Sequence, residues 1–107
     1  MLLAISANTY APWFVHFVPP VKNNVLENSI FSRIIYSTET YTMNGIYLKK
    51  HTLAQLQAIE DDLMTAYSST KAKAGGLCAH YMANTVLKIS GVWESETACG
   101  LAFKFIH

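Results

Sequence analysis

Charged residues are scarce in this chain. Only 14% of its 107 residues are Asp, Glu, Lys or Arg, against roughly 25% in ordinary soluble domains. Eight basic and seven acidic residues leave a net charge of +1. That excludes binding driven by a strongly basic composition, because tight phosphate binding needs clustered positive charge. Base stacking in a locally basic groove remains compatible with it. With 51% hydrophobic residues, a small monomer would show apolar surface. Burial in an oligomer or larger assembly therefore stands beside an ordinary compact domain.

Cysteine is scarce too. Cys78 and Cys99 are too few for the disulfide framework of a small secreted protein. Free thiols are expected, with a single disulfide as the alternative. Cys78-x-His80 is the one close Cys/His pair, while His16, His51, His107 and Cys99 are scattered. Structural zinc wants four ligands at familiar spacing, so no metal or cofactor is expected. There is no glycine-rich phosphate loop and no Gly-x-Ser-x-Gly elbow. Gly75-Gly76-Leu77-Cys78 opening a helix would lower the Cys78 pKa, yet no base accompanies that thiol. Glu60-Asp61-Asp62 diverge around a helix axis and read as a solvated face, not an acid/base pair. A non-enzyme is expected.

Long apolar runs are also missing. Met1 to Pro20 is apolar, but Asn8-Thr9-Tyr10 and Pro12 interrupt it. A membrane span needs ~20 uninterrupted apolar residues, and a signal peptide would open on a basic region. Neither is expected, and the acidic polar face of the main helix does not suit a membrane surface.

What is present is the patterning of one domain over 1–107, with 1–12 an irregular leader. Trp13-Phe14-Val15-His16-Phe17-Val18 is aromatic and β-branched and ends at Pro19-Pro20, which predicts a first strand over 13–18. A polar loop over 21–28 follows. Ile30 to Ser37 predicts a second, internal strand, with Phe31, Arg33, Ile35 and Ser37 on one face. Tyr41 to Lys49 predicts a third. Asn44-Gly45 inside it reads as a bulge in preference to a hairpin turn. Thr52 with Gln55 forms a capping box, and Leu53, Leu56, Ile59, Leu63 and Tyr67 form one apolar face. The spacing predicts a helix over 53–67, and a short second helix over 77–85 is compatible with Leu77, Tyr81 and Thr85. Leu87 to Trp93 and Gly100 to Ile106 are two more strands joined by a polar turn. In the first of these, Lys88, Ser90 and Val92 oppose Leu87, Ile89, Gly91 and Trp93.

This order, three strands, a helix and two strands, matches the oligonucleotide-binding fold. The expected class is α+β, a small five-stranded barrel with one main helix between strands three and four. Gly91-Val92-Trp93 followed by Gly100-Leu101-Ala102-Phe103-Lys104 is similar to the closing strand pair of single-stranded DNA-binding proteins from large DNA viruses. Those proteins are longer and usually carry an acidic tail, which this sequence does not show. Lys22-Asn23-Asn24-Val25, Arg33-Ile34-Ile35-Tyr36-Ser37 and Asn44-Gly45-Ile46-Tyr47-Leu48, with the terminal pair, resemble a small uncharacterised protein family of nucleocytoplasmic large DNA viruses over roughly residues 20–106. The resemblance implies a viral protein of the host cytoplasm or virion. It further implies single-stranded nucleic-acid binding or a supporting role in genome replication.

Such binding needs rings for bases and cations for phosphates. The expected site residues are Arg33, Tyr36, Tyr47, Lys49, Lys88, Trp93 and Lys104. Tyr41, Phe103 and Phe105 are further candidate rings and Lys50 a further cation; the alternative is that the rings are core and the lysines only solubilise. The competing function is a structural or assembly protein, a minor virion component or homo-oligomer, that binds protein partners and no nucleic acid.

Overall fold

Val86 to Glu94 is rich in β-branched and aromatic residues, and it forms the strand on which the others assemble. A computed structural model describes residues 4–22, 28–74 and 76–106. Its strands are β1 (Ile5–Ser6), β2 (Val15–Phe17), β3 (Val21–Lys22), β4 (Ile30–Ser37), β5 (Thr42–Asn44), β6 (Ile46–Lys49), β7 (Ala72–Lys73), β8 (Val86–Glu94) and β9 (Ala98–Ile106), with one helix, α1 (Leu53–Tyr67). β9 pairs antiparallel with β8 along its whole length. The other edge of β8 is shared, with Leu87–Ile89 facing β6 and Gly91–Glu94 facing β4. β2 and β3 flank β4, while the two-residue β1 and β7 run parallel to β6 and β9.

The class is α+β with one main helix, as the sequence implies, but the barrel is not shown. Nine strands form one open sheet, not five in a closed ring. Gly45 is one reason for the difference. It adopts φ +103°, a left-handed conformation open to glycine. Its N–H donates to the Ile34 carbonyl at 2.8 Å. The strand breaks there without reversing: β5 pairs with β4, and β6 moves across to β8.

Several other expectations are corrected. Pro12–Phe14 is a 3-10 turn, so the first strand shrinks to Val15–Phe17. The leader is not wholly irregular, since Ile5–Ser6 pairs with Leu48–Lys49 and Ala7 and Ala11 are buried. Val21–Lys22 is a short strand, and the rest of the expected loop, 23–27, lies outside the described residues along with the Asn23-Asn24-Val25 resemblance. The short second helix is only a 3-10 turn at Cys78–His80.

The helix matches its expected bounds. The Thr52 hydroxyl accepts from the Gln55 N–H, and the Gln55 side chain accepts from the Thr52 N–H, a cap worth about 1 kcal/mol. Leu56, Ile59 and Leu63 pack on Ile34, Tyr36, Ile46, Leu48, Leu87, Ile89, Val92 and Leu101. Each buried aliphatic contributes roughly 1.5–3 kcal/mol. These residues define the inner face of the sheet.

Val92 belongs to that inner face, contrary to strict alternation. The β8–β9 register slips between Ile89 and Gly91. The extra residue, Ser90, restarts the alternation one position later. Leu87, Ile89 and Val92 therefore all face the helix, opposite Phe105, Phe103 and Leu101. No helix among the described residues is long and apolar enough to cross a membrane.

Candidate nucleic-acid interface

Once the bulge fixes the register, the opposite face of the sheet follows from the pairing, because directly paired residues share a face. Three cross-strand rows emerge: Tyr47–Lys88–Lys104, Arg33–Gly91–Ala102 and Phe31–Trp93–Gly100. Lys49 lies two residues beyond Tyr47 on the same strand and so shares the face. Six of the seven expected residues, Arg33, Tyr47, Lys49, Lys88, Trp93 and Lys104, are thereby gathered on the side away from α1. All six are exposed or half-buried.

The rings lie against the sheet where side chains have been removed. A β-carbon placed on Gly91 would meet the Phe31 ring at 2.8 Å, and one on Gly100 would meet the Trp93 ring at 3.0 Å. Each glycine thus makes the room that its neighbour's ring occupies. The Lys88 ammonium stands 5.5 Å from the centre of the Tyr47 ring, a cation–π distance. Lys88 also sits directly opposite Lys104. Like charges so placed repel, and no carboxylate occupies the paired strand positions of this face. The helix acids lie on the other side, where Lys73 meets Asp61 at 3.1 Å and Glu60 at 3.7 Å.

Phe31 belongs to this surface although it was not among the expected site residues. Its signal was its parity with Arg33 in β4. Tyr36 has the opposite parity and is 1% exposed, so its ring offers no stacking surface. Its hydroxyl instead accepts from the Ala11 N–H at 2.9 Å, and its ring packs with Tyr10, Phe14 and Tyr41. Burial lifts the Tyr36 phenol above its ordinary pKa, against the opposing Ala11 bond. Burial raises Tyr10 as well, helped by the Asp62 carboxylate and by Tyr36. Phe103 and Phe105 are inner-face rings beside His80, His51 and Tyr81.

Two chemical expectations change. Glu60 is not solvated but 7% exposed, and its carboxylate accepts from the Leu77 N–H at 3.0 Å. It ties Leu77 to the helix. Cys78 is not activated: burial raises its pKa, the Glu60 and Asp61 carboxylates add to that, and Lys73 opposes it. A three-residue turn gives the thiol no long helix dipole to set against those carboxylates. Cys78 and Cys99 are both free thiols. Among the described residues, no three of His, Cys, Asp and Glu gather as a metal ion would require. No protein-family model, curated protein or solved structure matches this chain, so its geometry and chemistry must carry the functional reading.

Proposed function

We propose that this chain is a non-enzymatic viral protein that binds single-stranded nucleic acid, or supports genome replication, through the outer face of β4, β6, β8 and β9. The observation that carries the reading is the direct opposition of Lys88 and Lys104 beside Tyr47, with no carboxylate at the paired strand positions of that face. Such a pair works against folding and is relieved by a phosphate lying between the two ammonium groups. Phe31 and Trp93 supply the π faces on which bases stack. The viral assignment, with the host cytoplasm or virion as location, rests on the resemblance of Gly91-Val92-Trp93 and Gly100-Leu101-Ala102-Phe103-Lys104 described above.

The test is a fluorescence titration of the Trp13→Phe protein, in which Trp93 is the sole tryptophan. Short single-stranded oligonucleotides are expected to quench it, with affinity falling as salt rises. Trp93→Ala is expected to weaken binding by ~1–3 kcal/mol, followed by fluorescence anisotropy of a labelled oligonucleotide. No response to DNA or RNA at low salt would refute the proposal. The second reading, an assembly protein, is favoured by Trp13 at 74% and Val21 at 61% exposure, apolar surface that partners would cover. It predicts an oligomer in sedimentation whose size does not depend on nucleic acid.

A further inference from the structure

On the inner side of the sheet, away from the lysine-bearing face, the C-terminal end of α1 stops short and leaves a cleft of about 530 Å³. That volume suits a small organic ligand. One wall is Phe17, Val18, Pro19 and Pro20, and the other is the helix end with the chain to Thr70. Ser32, Ile30 and Glu94 line it from the sheet.

Among the described residues that line the cleft only Glu94 is charged, while Lys71, beside it in the adjoining hollow, donates to the Glu96 carbonyl at 2.9 Å. The Glu94 carboxylate lines it and, among the described residues, is paired with no cation. Tyr67 lines the cleft together with Glu94 and the buried Ser32, and burial lifts its phenol above the ordinary pKa, Ser32 opposing this and Glu94 adding to it. The helix adds its negative end. Of its last four carbonyls, Met64 accepts from the Ser68 N–H and Thr65 from the Ser68 hydroxyl. Ala66 and Tyr67 line the cleft, and among the described residues their carbonyls accept no further backbone hydrogen bond. The last turn contains no basic residue to offset them. The aromatic wall adds a third attraction, because Phe17 meets Tyr67 edge-on at 5.5 Å and the faces of such rings draw cations. A hard divalent ion would want six or more oxygen ligands, and the proline and phenylalanine wall provides none from side chains.

We propose that this cleft binds an alkylammonium group, its charge against Glu94 and its methylenes against Phe17, Pro19 and Pro20. The group can belong to a free polyamine or to a lysine side chain presented by a protein. The site is independent of the nucleic-acid surface.

The test is an amide NMR titration of the full chain with n-butylammonium chloride, with sodium chloride and n-butanol as matched controls. Saturable shifts are expected at Ser32, Ala66 to Thr70 and Glu94 for the amine alone. Glu94→Gln keeps the side chain's length and shape and removes the charge. It is expected to lose at least about tenfold in affinity with the fold intact by its amide spectrum, as befits a hydrogen bond to a charged group. Phe17→Leu, which keeps bulk and removes the π face, is expected to weaken binding less than Glu94→Gln. Spermidine and N-acetyl-lysine-methylamide, titrated in parallel, identify the source by which binds tighter. The proposal is overturned if butanol shifts the same amides equally, if butylammonium shifts none of them, or if Glu94→Gln binds as well as the parent.

Discussion

Replacing Gly91 by alanine tests the pairing that creates the outer face. A β-carbon at this position would lie 2.2 Å from the Ser32 carbonyl oxygen and 3.0 Å from the Arg33 Cα. Ordinary contact distances are about 3.5–4.0 Å, so the two backbones would have to part by more than 1 Å. Both atoms are main chain, and no rotamer change relieves the contact. The β4–β8 ladder, Ile30 to Arg33 against Glu94 to Gly91, would yield instead. Overpacking costs about 1–3 kcal/mol, and two weakened ladder bonds cost about 1–3 kcal/mol more. A loss near 3 kcal/mol lowers Tm by ~12–24 °C in a domain of this size. Urea denaturation followed by circular dichroism measures it. Gly100→Ala is the comparison. Its β-carbon would meet the Ala74 oxygen at 2.6 Å and the Trp93 ring at 3.0 Å, and both the short β7 edge and the ring can move. It is expected to cost about 1 kcal/mol and to shift Trp93 emission. If Gly91→Ala matched the parent to within about 0.5 kcal/mol, β4 and β8 would not meet in this register. The shared face would then be lost with it.

Three further outcomes are expected. For four phosphates met by Arg33, Lys49, Lys88 and Lys104, log affinity for a single strand should fall with log salt at a slope of about −2.8, and Lys88→Ala/Lys104→Ala should reduce that slope by about 1.4. An unchanged slope would remove these lysines from the interface. Glu60→Ala strands the buried Leu77 N–H and should cost about 1–3 kcal/mol by urea denaturation, while Glu60→Gln keeps an acceptor and costs less; equal losses would mean that charge, not the hydrogen bond, matters there. Cys78, held above its ordinary pKa by burial and by Glu60 and Asp61, should alkylate with iodoacetamide at pH 8 more slowly than free cysteine, and an equal or faster rate would contradict that environment.

Local signals in this sequence translate directly into structure. Thr52 and Gln55 cap the helix as expected, and Ile30–Ser37 is one uninterrupted strand with Arg33 outside and Ile34 inside. What depends on non-local pairing was not legible. The bulge at Ser90 leaves no mark in the alternation of Leu87 to Trp93, so Val92 was placed on the wrong face. Glu60 reads as solvent-facing among three acids, yet the incoming Leu77 N–H covers it. Tyr36 carries the same chemistry as Tyr47, and only the parity of their strands separates a buried ring from a half-buried one. Closure of the sheet could not be read from the order of elements, since that order is silent on where β6 leaves β4 for β8.

Net charge hides the distribution of charge for a related reason. A total of +1 averages two surfaces that the sheet separates. Sorting by side puts Arg33, Lys49, Lys88 and Lys104 together, while Glu60, Asp61 and Asp62 sit on the helix behind the sheet. At 0.15 M salt the screening length is about 8 Å, and the thickness of a helix packed on a sheet is about 10 Å. Phosphates approaching the outer face would therefore meet the four cations only weakly offset by the acids behind them. On the inner side Lys73 is taken up by Asp61 and Glu60, and among the described residues Glu94 has no ion-pair partner. One act of sorting thus accounts for both the cationic surface and the anionic cleft. Lys104→Glu, which reverses the sign of one charge on the outer face, should weaken oligonucleotide binding while leaving butylammonium binding at Glu94 unchanged.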